Sequence, residues 1–193
     1  MNNPVQPTLV TPTLFDKAFN EIGGVLTTEL SWLTNAYRQA EKIPIQRNNR
    51  ASYEPHIYVG RQDYPNEYLN LLPDEYLENH CFFLVDDGVN IAERKGQLGD
   101  FFGTYSLIFW WDYRTAHPTD HLQRTIENVK RDILVLLAKT AFKTCSITIQ
   151  KTYVEAKNIY KGFDIQDAKQ QFLMRPYGGL RIEGQIKIKQ NCN

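Results

Sequence analysis

Cysteine and methionine are scarce in this chain: three Cys (Cys81, Cys145, Cys192) and two Met among 193 residues. An odd cysteine count with no short spacing speaks for reduced thiols in a cytosolic setting, not for a disulfide framework. An excess of either charge is missing too: Lys plus Arg and Asp plus Glu number 22 each, giving a formal net charge of zero. That argues against a chain whose whole surface binds nucleic acid, while low self-repulsion makes self-association easy. No apolar run of about 18 residues is present, so no spanning helix is expected. The N-terminus lacks the basic-then-apolar pattern of a signal sequence. The expectation is a protein made and assembled in a cytoplasm, with no membrane partner. Three common fingerprints are also absent: no Walker loop, no Gly-x-Gly-x-x-Gly and no Gly-x-Ser-x-Gly occurs.

Aromatic residues, in contrast, are plentiful, with 11 Tyr, 10 Phe and 3 Trp. Tyr and Trp join a large contact area to a polar tip and are favoured at interfaces, so the surplus of Tyr hints at protein contacts. An apolar content of 42% and a charged content of 23% are ordinary for a globular chain, and the length suits one domain with a real core.

The clearest element is the last. Over residues 180–189, Leu180, Ile182, Ile186 and Ile188 fall on one face and Arg181, Glu183, Gln185, Lys187 and Lys189 on the other. Such alternation predicts a strand with one face on a core and one face wet. The preceding Arg175-Pro176-Tyr177-Gly178-Gly179 is turn chemistry. Residues 1–13 carry Pro4, Pro7 and Pro12 and few apolar side chains, which predicts an extended N-terminal arm or a loose terminus; in an assembly it would lie along a neighbouring subunit. Phe15, Ile22, Leu26, Leu30, Leu33 and Tyr37 recur at helical spacing and predict a helix over 14–41. Thr13 is its cap and Asp16 sits in its first turn, while Gly23-Gly24 weakens the middle or marks a close approach.

Residues 80–85 and 104–113 predict strands. The second is apolar on both sides (Tyr105, Leu107, Phe109, Trp111 and Tyr113 against Ile108 and Trp110), which places it mid-sheet or against another molecule. Leu122, Ile126, Val129, Ile133, Leu136 and Leu137 predict a helix over 119–141, capped by Thr119 or Asp120. Residues 146–154 predict a further strand. Two segments read instead as excursions with contacts of their own: 43–79, with a short strand candidate at 57–59, and 155–175, with a short helix candidate at 165–172. The sum is a single α+β domain over 14–193, an antiparallel sheet with two main helices packed on one face and long excursions at 43–79 and 155–175.

Candidate chemistry is thin. His117 and His121 stand four apart, but Pro118 lies between them, so a surface pair at a helix start is the plainer reading than a metal site. Asp86-Asp87-Gly88 reads as a tight turn ahead of a cation site. Glu155-Ala156-Lys157 follows a strand, as the Glu-x-Lys of metal-dependent nucleases does. With an acid such as Asp112 on a neighbouring strand it would position Mg²⁺ and a water, although three-residue matches are common by chance. Cys145 reads as a small buried thiol. Arg175, Arg181, Lys187 and Lys189 form a basic stripe, read as a solvated sheet face in preference to a contact with DNA phosphates. No catalytic, cofactor-binding or metal-binding residue is assigned from the sequence.

The succession of helix 14–41, strand 104–113, helix 119–141 and the ending Arg175-Pro176-Tyr177-Gly178-Gly179-Leu180-Arg181-Ile182-Glu183-Gly184-Gln185-Ile186 resembles the tail-terminator and tail-completion (neck-ring) proteins of tailed bacteriophages. In general character it is similar to the neck-ring proteins of crAss-like phages. The resemblance implies a structural subunit without enzymatic activity or cofactor, built into a closed homo-oligomeric ring of roughly six or twelve copies. It implies a place in the virion between portal or adaptor and tail, after assembly in the cytoplasm of a bacterial host. Genomic DNA would pass through the lumen without sequence-specific contacts. The two excursions depart from the family's shorter pattern, and they supply the candidate subunit-interface residues Tyr64, Tyr68, Leu72, Tyr76, Tyr160, Phe163 and Phe172. Two other readings stand beside this one: a Mg-dependent nuclease using Glu155 and Lys157, and a monomeric adaptor binding one protein partner.

Overall fold

The computed structural model describes residues 14–47, 49–60, 67–85, 90–91 and 100–189. In chain order the elements begin with α1 (Leu14–Glu29), β1 (Asn35–Gln39), β2 (Glu41–Arg47), β3 (Arg50–Tyr58), β4 (Tyr68–Asn70), β5 (His80–Val85) and β6 (Asn90–Ile91). They continue with β7 (Phe101–Asp112), α2 (Tyr113–Ala116), α3 (Ile126–Lys139), β8 (Cys145–Tyr153), α4 (Ala156–Ile159), a 3-10 turn (Gln170–Leu173) and β9 (Tyr177–Ile188). The result is a mixed α+β structure with two sheets. One is six-stranded in the order β1-β5-β7-β9-β8, with β6 pairing β7; the other is three-stranded, β2-β3-β4.

β7 is central because neither of its faces tolerates water. Tyr105, Leu107, Phe109 and Trp111 point to one core, shared with Cys81 and Phe83 of β5 and Leu180, Ile182, Ile186 and Ile188 of β9. Helices cover that core. Ala18, Phe19, Ile22 and Leu26 form the buried stripe of α1, and Val129, Ile133 and Leu137 that of α3, at the spacings that put side chains on one helical face. The opposite face of the sheet, with Phe82, Leu84, Ile108 and Trp110, meets a second core. Ile57, Leu69, Leu71, Leu72 and Leu77 enter it from the 43–79 segment, and Ile159, Tyr160 and Phe172 from the 155–175 segment. Glu21 ties the helical layer to the approach to β8. Burial opposes its charge, but bonds from Thr144 Oγ1 (2.5 Å) and the backbone N–H groups of Lys143 (2.6 Å) and Thr144 (2.8 Å) outweigh that and hold its carboxyl below the usual range.

Several expected boundaries move, each for a local reason. The helix over 14–41 stops at Glu29, and residues 35–39 form β1, which pairs parallel with β5, so the main sheet is not wholly antiparallel. The helical spacing of Leu30, Leu33 and Tyr37 is real but serves two layers: Leu33 joins the helix-side core and Tyr37 the opposite one. The helix over 119–141 begins at Ile126, because Thr125 and Asn128 close a capping box there; Leu122 lies outside it and is exposed. The 43–79 excursion holds all of the three-stranded sheet but the first two residues of β2, and the helix candidate at 165–172 is the 3-10 turn at Gln170–Leu173. Tyr177, Gly178 and Gly179 belong to β9, not to a turn.

The expected wet face of β9 stays open at Gln185 and Lys189 and is covered at its start. Arg181 is buried, and its guanidinium donates to Ser106 Oγ (2.9 Å) and Lys161 O (3.1 Å) and pairs with Glu183 (2.8 Å). A buried charge survives when it is paired and its outer guanidinium nitrogens are hydrogen-bonded in this way. The arm 1–13 and the Asp86-Asp87-Gly88 turn lie outside the described residues.

β9 runs so close to β8 at Gly184 that an added Cβ would sit 1.8 Å from the Thr148 carbonyl oxygen. Gly184→Ala is therefore expected to force the two strands apart and lower the unfolding free energy by about 3 kcal/mol. Gly24, on the open side of α1, has nothing within 4 Å of the corresponding position. Gly24→Ala is expected to raise stability by up to about 1 kcal/mol, and urea denaturation followed by circular dichroism measures both.

Candidate interaction surface

Both faces of the central strands are largely covered, and the open parts of the main sheet are its edges and the outer end around Thr104, Thr148 and Gln185. β8 is the longer edge strand, nine residues against five in β1. Ser146, Thr148 and Gln150 are exposed along it and Ile147 and Ile149 half-buried. Sheet edges are commonly guarded by charge, proline or a bulge. Residues 145–150 carry no charge and no proline. The guards arrive only at the far end, as a register shift between Ile149 and Lys151 and as Lys151 itself. The outer N–H and C=O groups of the first half of β8 thus form a template for another strand.

The three-stranded sheet presents tyrosines. Tyr58 and Tyr68 face each other across β3 and β4, edge to face with centroids 5.4 Å apart, and both are exposed, as is Tyr53. This surface is braced. Arg47 at the end of β2 pairs with Asp164 (3.4 Å) and Asp167, and Asp164 N donates to Tyr53 O (2.8 Å), pinning the hairpin to the 155–175 segment. Inside the hairpin the buried Glu54 accepts from Asn70 Nδ2 (2.8 Å) and lies 3.1 Å from His56 Nε2. A rigid aromatic surface loses little conformational entropy on contact.

A cleft of about 800 Å³ opens where the chain leaving α1 and the end of β7 meet the segment before β5. Trp32, Tyr76, Trp110 and Tyr177 line it with Arg114, Asp112 and Glu75. Asn79 organises its base: Nδ2 donates to Trp32 O (2.9 Å) and Thr115 Oγ1 (3.1 Å), and Oδ1 accepts from Asp112 N (2.7 Å). Tyr177 stacks on Trp110 (5.2 Å) and carries the Arg114 guanidinium over its ring at 5.3 Å. Arg114 in turn is held by Asp112 (2.7 Å) and donates to the Tyr177 hydroxyl (2.9 Å). Hydrogen bonds from Lys169 (2.7 Å) and the Tyr76 hydroxyl hold the Glu75 carboxyl below its usual range.

The expected interface residues divide sharply. Tyr68 and Tyr76 are exposed, Tyr76 by 71%. Leu72, Tyr160 and Phe172 are buried inside this chain's own second core, so they are not available to a neighbour; the excursions fold back on the sheet because Ile108 and Trp110 demand cover there. Phe163 is half-buried against the same core, and Tyr64 lies outside the described residues. Glu155 and Lys157 are exposed and pair with each other (3.2 Å), while Asp112 is engaged by Arg114 and caps α2. His121 Nδ1 lies 3.2 Å from the Pro118 carbonyl, whereas His117 is half-buried, and desolvation, then Arg124, lowers its pKa. Cys81 and Cys145 are buried, and burial pushes the Cys145 thiol up to about 11; Cys192 lies outside the described residues.

The basic stripe is spent within the chain. Arg175 donates to the carbonyls of His121 (2.9 Å) and Leu122 (2.7 Å), Lys187 pairs with Asp100 (2.8 Å), and Lys189 donates to Phe142 O (2.6 Å).

Sequence reasoning passed over Trp32, Tyr53, Tyr58, Asn79 and Arg114. For Asn79 no local signal exists, since its partners lie 47, 36 and 33 residues away. Tyr58 was legible in principle, because it alternates with Ile57 and Val59. Among the described residues no group of three or more His, Cys, Asp or Glu is placed to hold a metal ion, and no helix is long and apolar enough to cross a membrane. The chain matches no protein-family model and no curated protein.

The division of the interface residues has a direct check. Leu72→Ala and Phe172→Ala are expected to cost about 2–5 kcal/mol of stability each, as large-to-small changes in a packed core do. Tyr68→Ala and Tyr76→Ala are expected to stay within about 0.5 kcal/mol. The midpoint of urea unfolding reports all four.

Proposed function

We propose that this chain is the repeating subunit of a closed homo-oligomeric ring in the neck of a tailed bacteriophage, joining portal or adaptor to tail around the DNA channel. The observation that carries this reading is the unguarded edge of β8. The two edges of the main sheet differ in length and sequence, so a contact that uses β8 of one copy and a different surface of the next is heterologous. Repeated by a rotation that divides a full turn, such a contact closes into a ring. Its strength comes from main-chain hydrogen bonds, the mode by which an added strand extends a sheet.

Three further features support the reading. α1 and α3 contribute to one core on one face of the sheet, which is the layout implied by the resemblance to tail-terminator proteins. Zero net charge lowers repulsion between copies. It also limits the counterion-release drive that would hold DNA in the lumen, so the polymer passes without being gripped. Tyr58 and Tyr68, side by side on the small sheet, give a neighbour or an adjoining ring an aromatic surface to rest on. The subunit's work is mechanical in this reading and calls on no catalytic group; synthesis and assembly take place in the bacterial host, and the final location is the virion.

Lysines at the exposed positions Ser146 and Thr148 would guard the edge without touching the core. Ser146→Lys/Thr148→Lys is expected to leave the circular dichroism spectrum intact and to shift the mass by light scattering from the oligomer to the monomer. An unchanged oligomer mass would remove β8 from the subunit contact.

A further inference from the structure

The bare half of β8 has room for a short added strand, and the course of α1 directs one of the chain's own segments toward it. α1 crosses the main sheet obliquely. Gly23 abuts Ala36 of β1, Phe19 stacks on Phe83 of β5 (4.3 Å), and the Phe15 ring lies against Gly103 of β7. Followed toward its N-terminus, the helix advances one strand every four residues in the direction of β9 and β8. The same helix is bonded to the entrance of β8, since the Glu21 carboxylate accepts from the backbone N–H groups of Lys143 and Thr144 just before Cys145. Gly103 is in register with Ile186, and Ile186 with Ile147, so α1 begins level with the bare stretch of the edge.

The segment that precedes α1 has the composition of such a strand. Thr8-Leu9-Val10-Thr11 carries no charge, and Thr8, Val10 and Thr11 are β-branched. Pro7 and Pro12, which have no backbone N–H to donate, bound it. A strand added beyond β8 lies three strand spacings from β7, about 14 Å. Leu9 extends up to about 20 Å from Phe15, enough for that crossing and for the descent from the helix layer to the sheet. The β1 edge is as many strands away, but it lies behind the advancing helix. Alternation completes the fit. Ile147 and Ile149 are half-buried at the rim of the helix-side core. Leu9 set beside them extends that core by one column and leaves Thr8 and Val10 beside the exposed Ser146, Thr148 and Gln150.

We infer that Thr8-Leu9-Val10 pairs with the outer edge of β8 within its own chain, holding that edge until a neighbouring copy displaces it. The short tether keeps the segment at an effective concentration in the millimolar range, so a neighbour always meets a competitor. Association is weakened by the fraction of chains whose edge is bare, which delays assembly without altering the finished contact. The pairing within one chain stands on the fold alone, and its displacement by a neighbour rests on the ring reading.

A disulfide lock tests both parts on full-length chains. Val10→Cys is combined with Ser146→Cys in one Cys192→Ser chain and with Thr148→Cys in another, the remaining Cys81 and Cys145 being buried. After exposure to oxidised glutathione, one of the two is expected to form a bridge that leaves a single-chain band on a non-reducing gel. Adding Leu9→Asp is expected to slow that bridge at least about tenfold, because a charge then meets the apolar column. By light scattering the bridged chain is expected to be monomeric and to regain the oligomer mass on reduction. Absence of a bridge in both chains, bridges only between chains, or an equal rate with Leu9→Asp would overturn the pairing. A bridged chain that keeps the oligomer mass would overturn the displacement, since neighbours would then not need this edge. A bridge in a chain that is monomeric both before oxidation and after reduction would uphold the pairing and overturn the ring reading.

Discussion

One strand sets the terms for the rest of this molecule. β7 is twelve residues long and apolar on both faces, with Trp111, Phe109, Leu107 and Tyr105 on one side and Trp110 and Ile108 on the other. Burying a large apolar side chain is worth about 1.5–3 kcal/mol, so leaving either face wet would forfeit several such contributions. The chain answers with a layer on each side. α1 and α3 cover the first face, while the three-stranded sheet and the segment after β8 cover the second. Arg181 shows how far the second face is closed: a charged side chain at the polar register of β9 ends buried, donating to Ser106 and Lys161 and paired with Glu183, while Gln185 further along the strand stays exposed.

Much of this was legible in the sequence where a period repeats over enough residues. The alternation of residues 180–188 and the two-sided apolarity of β7 both translate into strands at nearly those bounds, and Val129, Ile133 and Leu137 into a helix face. The failures come where two layers share one spacing. Leu30, Leu33 and Tyr37 continue the rhythm of α1, but the chain turns after Glu29 and delivers Leu33 and Tyr37 to opposite sides of the sheet. Tyr160 and Phe172 posed a different problem. Nothing in their own segment says whether an aromatic residue faces a partner or the parent core. The clue lay far away, in Ile108 and Trp110, whose face of β7 needed cover. The hub at Asn79 had no local signature at all.

The same covering of faces narrows what is left for contact. Leu72, Tyr160 and Phe172 of the excursions are consumed within the chain, so in the proposed ring a contact between copies would draw on backbone at the β8 edge and on Tyr58 and Tyr68 of the small sheet. Edge pairing also explains why a neutral chain would need the late guards on β8: the bulge and Lys151 limit how far a second strand can run along it.

A native mass spectrum of the full-length wild-type chain tests the ring most directly. A closed ring predicts one dominant species at a single integer multiple of the subunit mass, roughly six or twelve copies, with intermediates scarce because closure adds a contact that open chains lack. A monomer alone, a symmetric dimer, or a ladder of all sizes without a dominant member would contradict it.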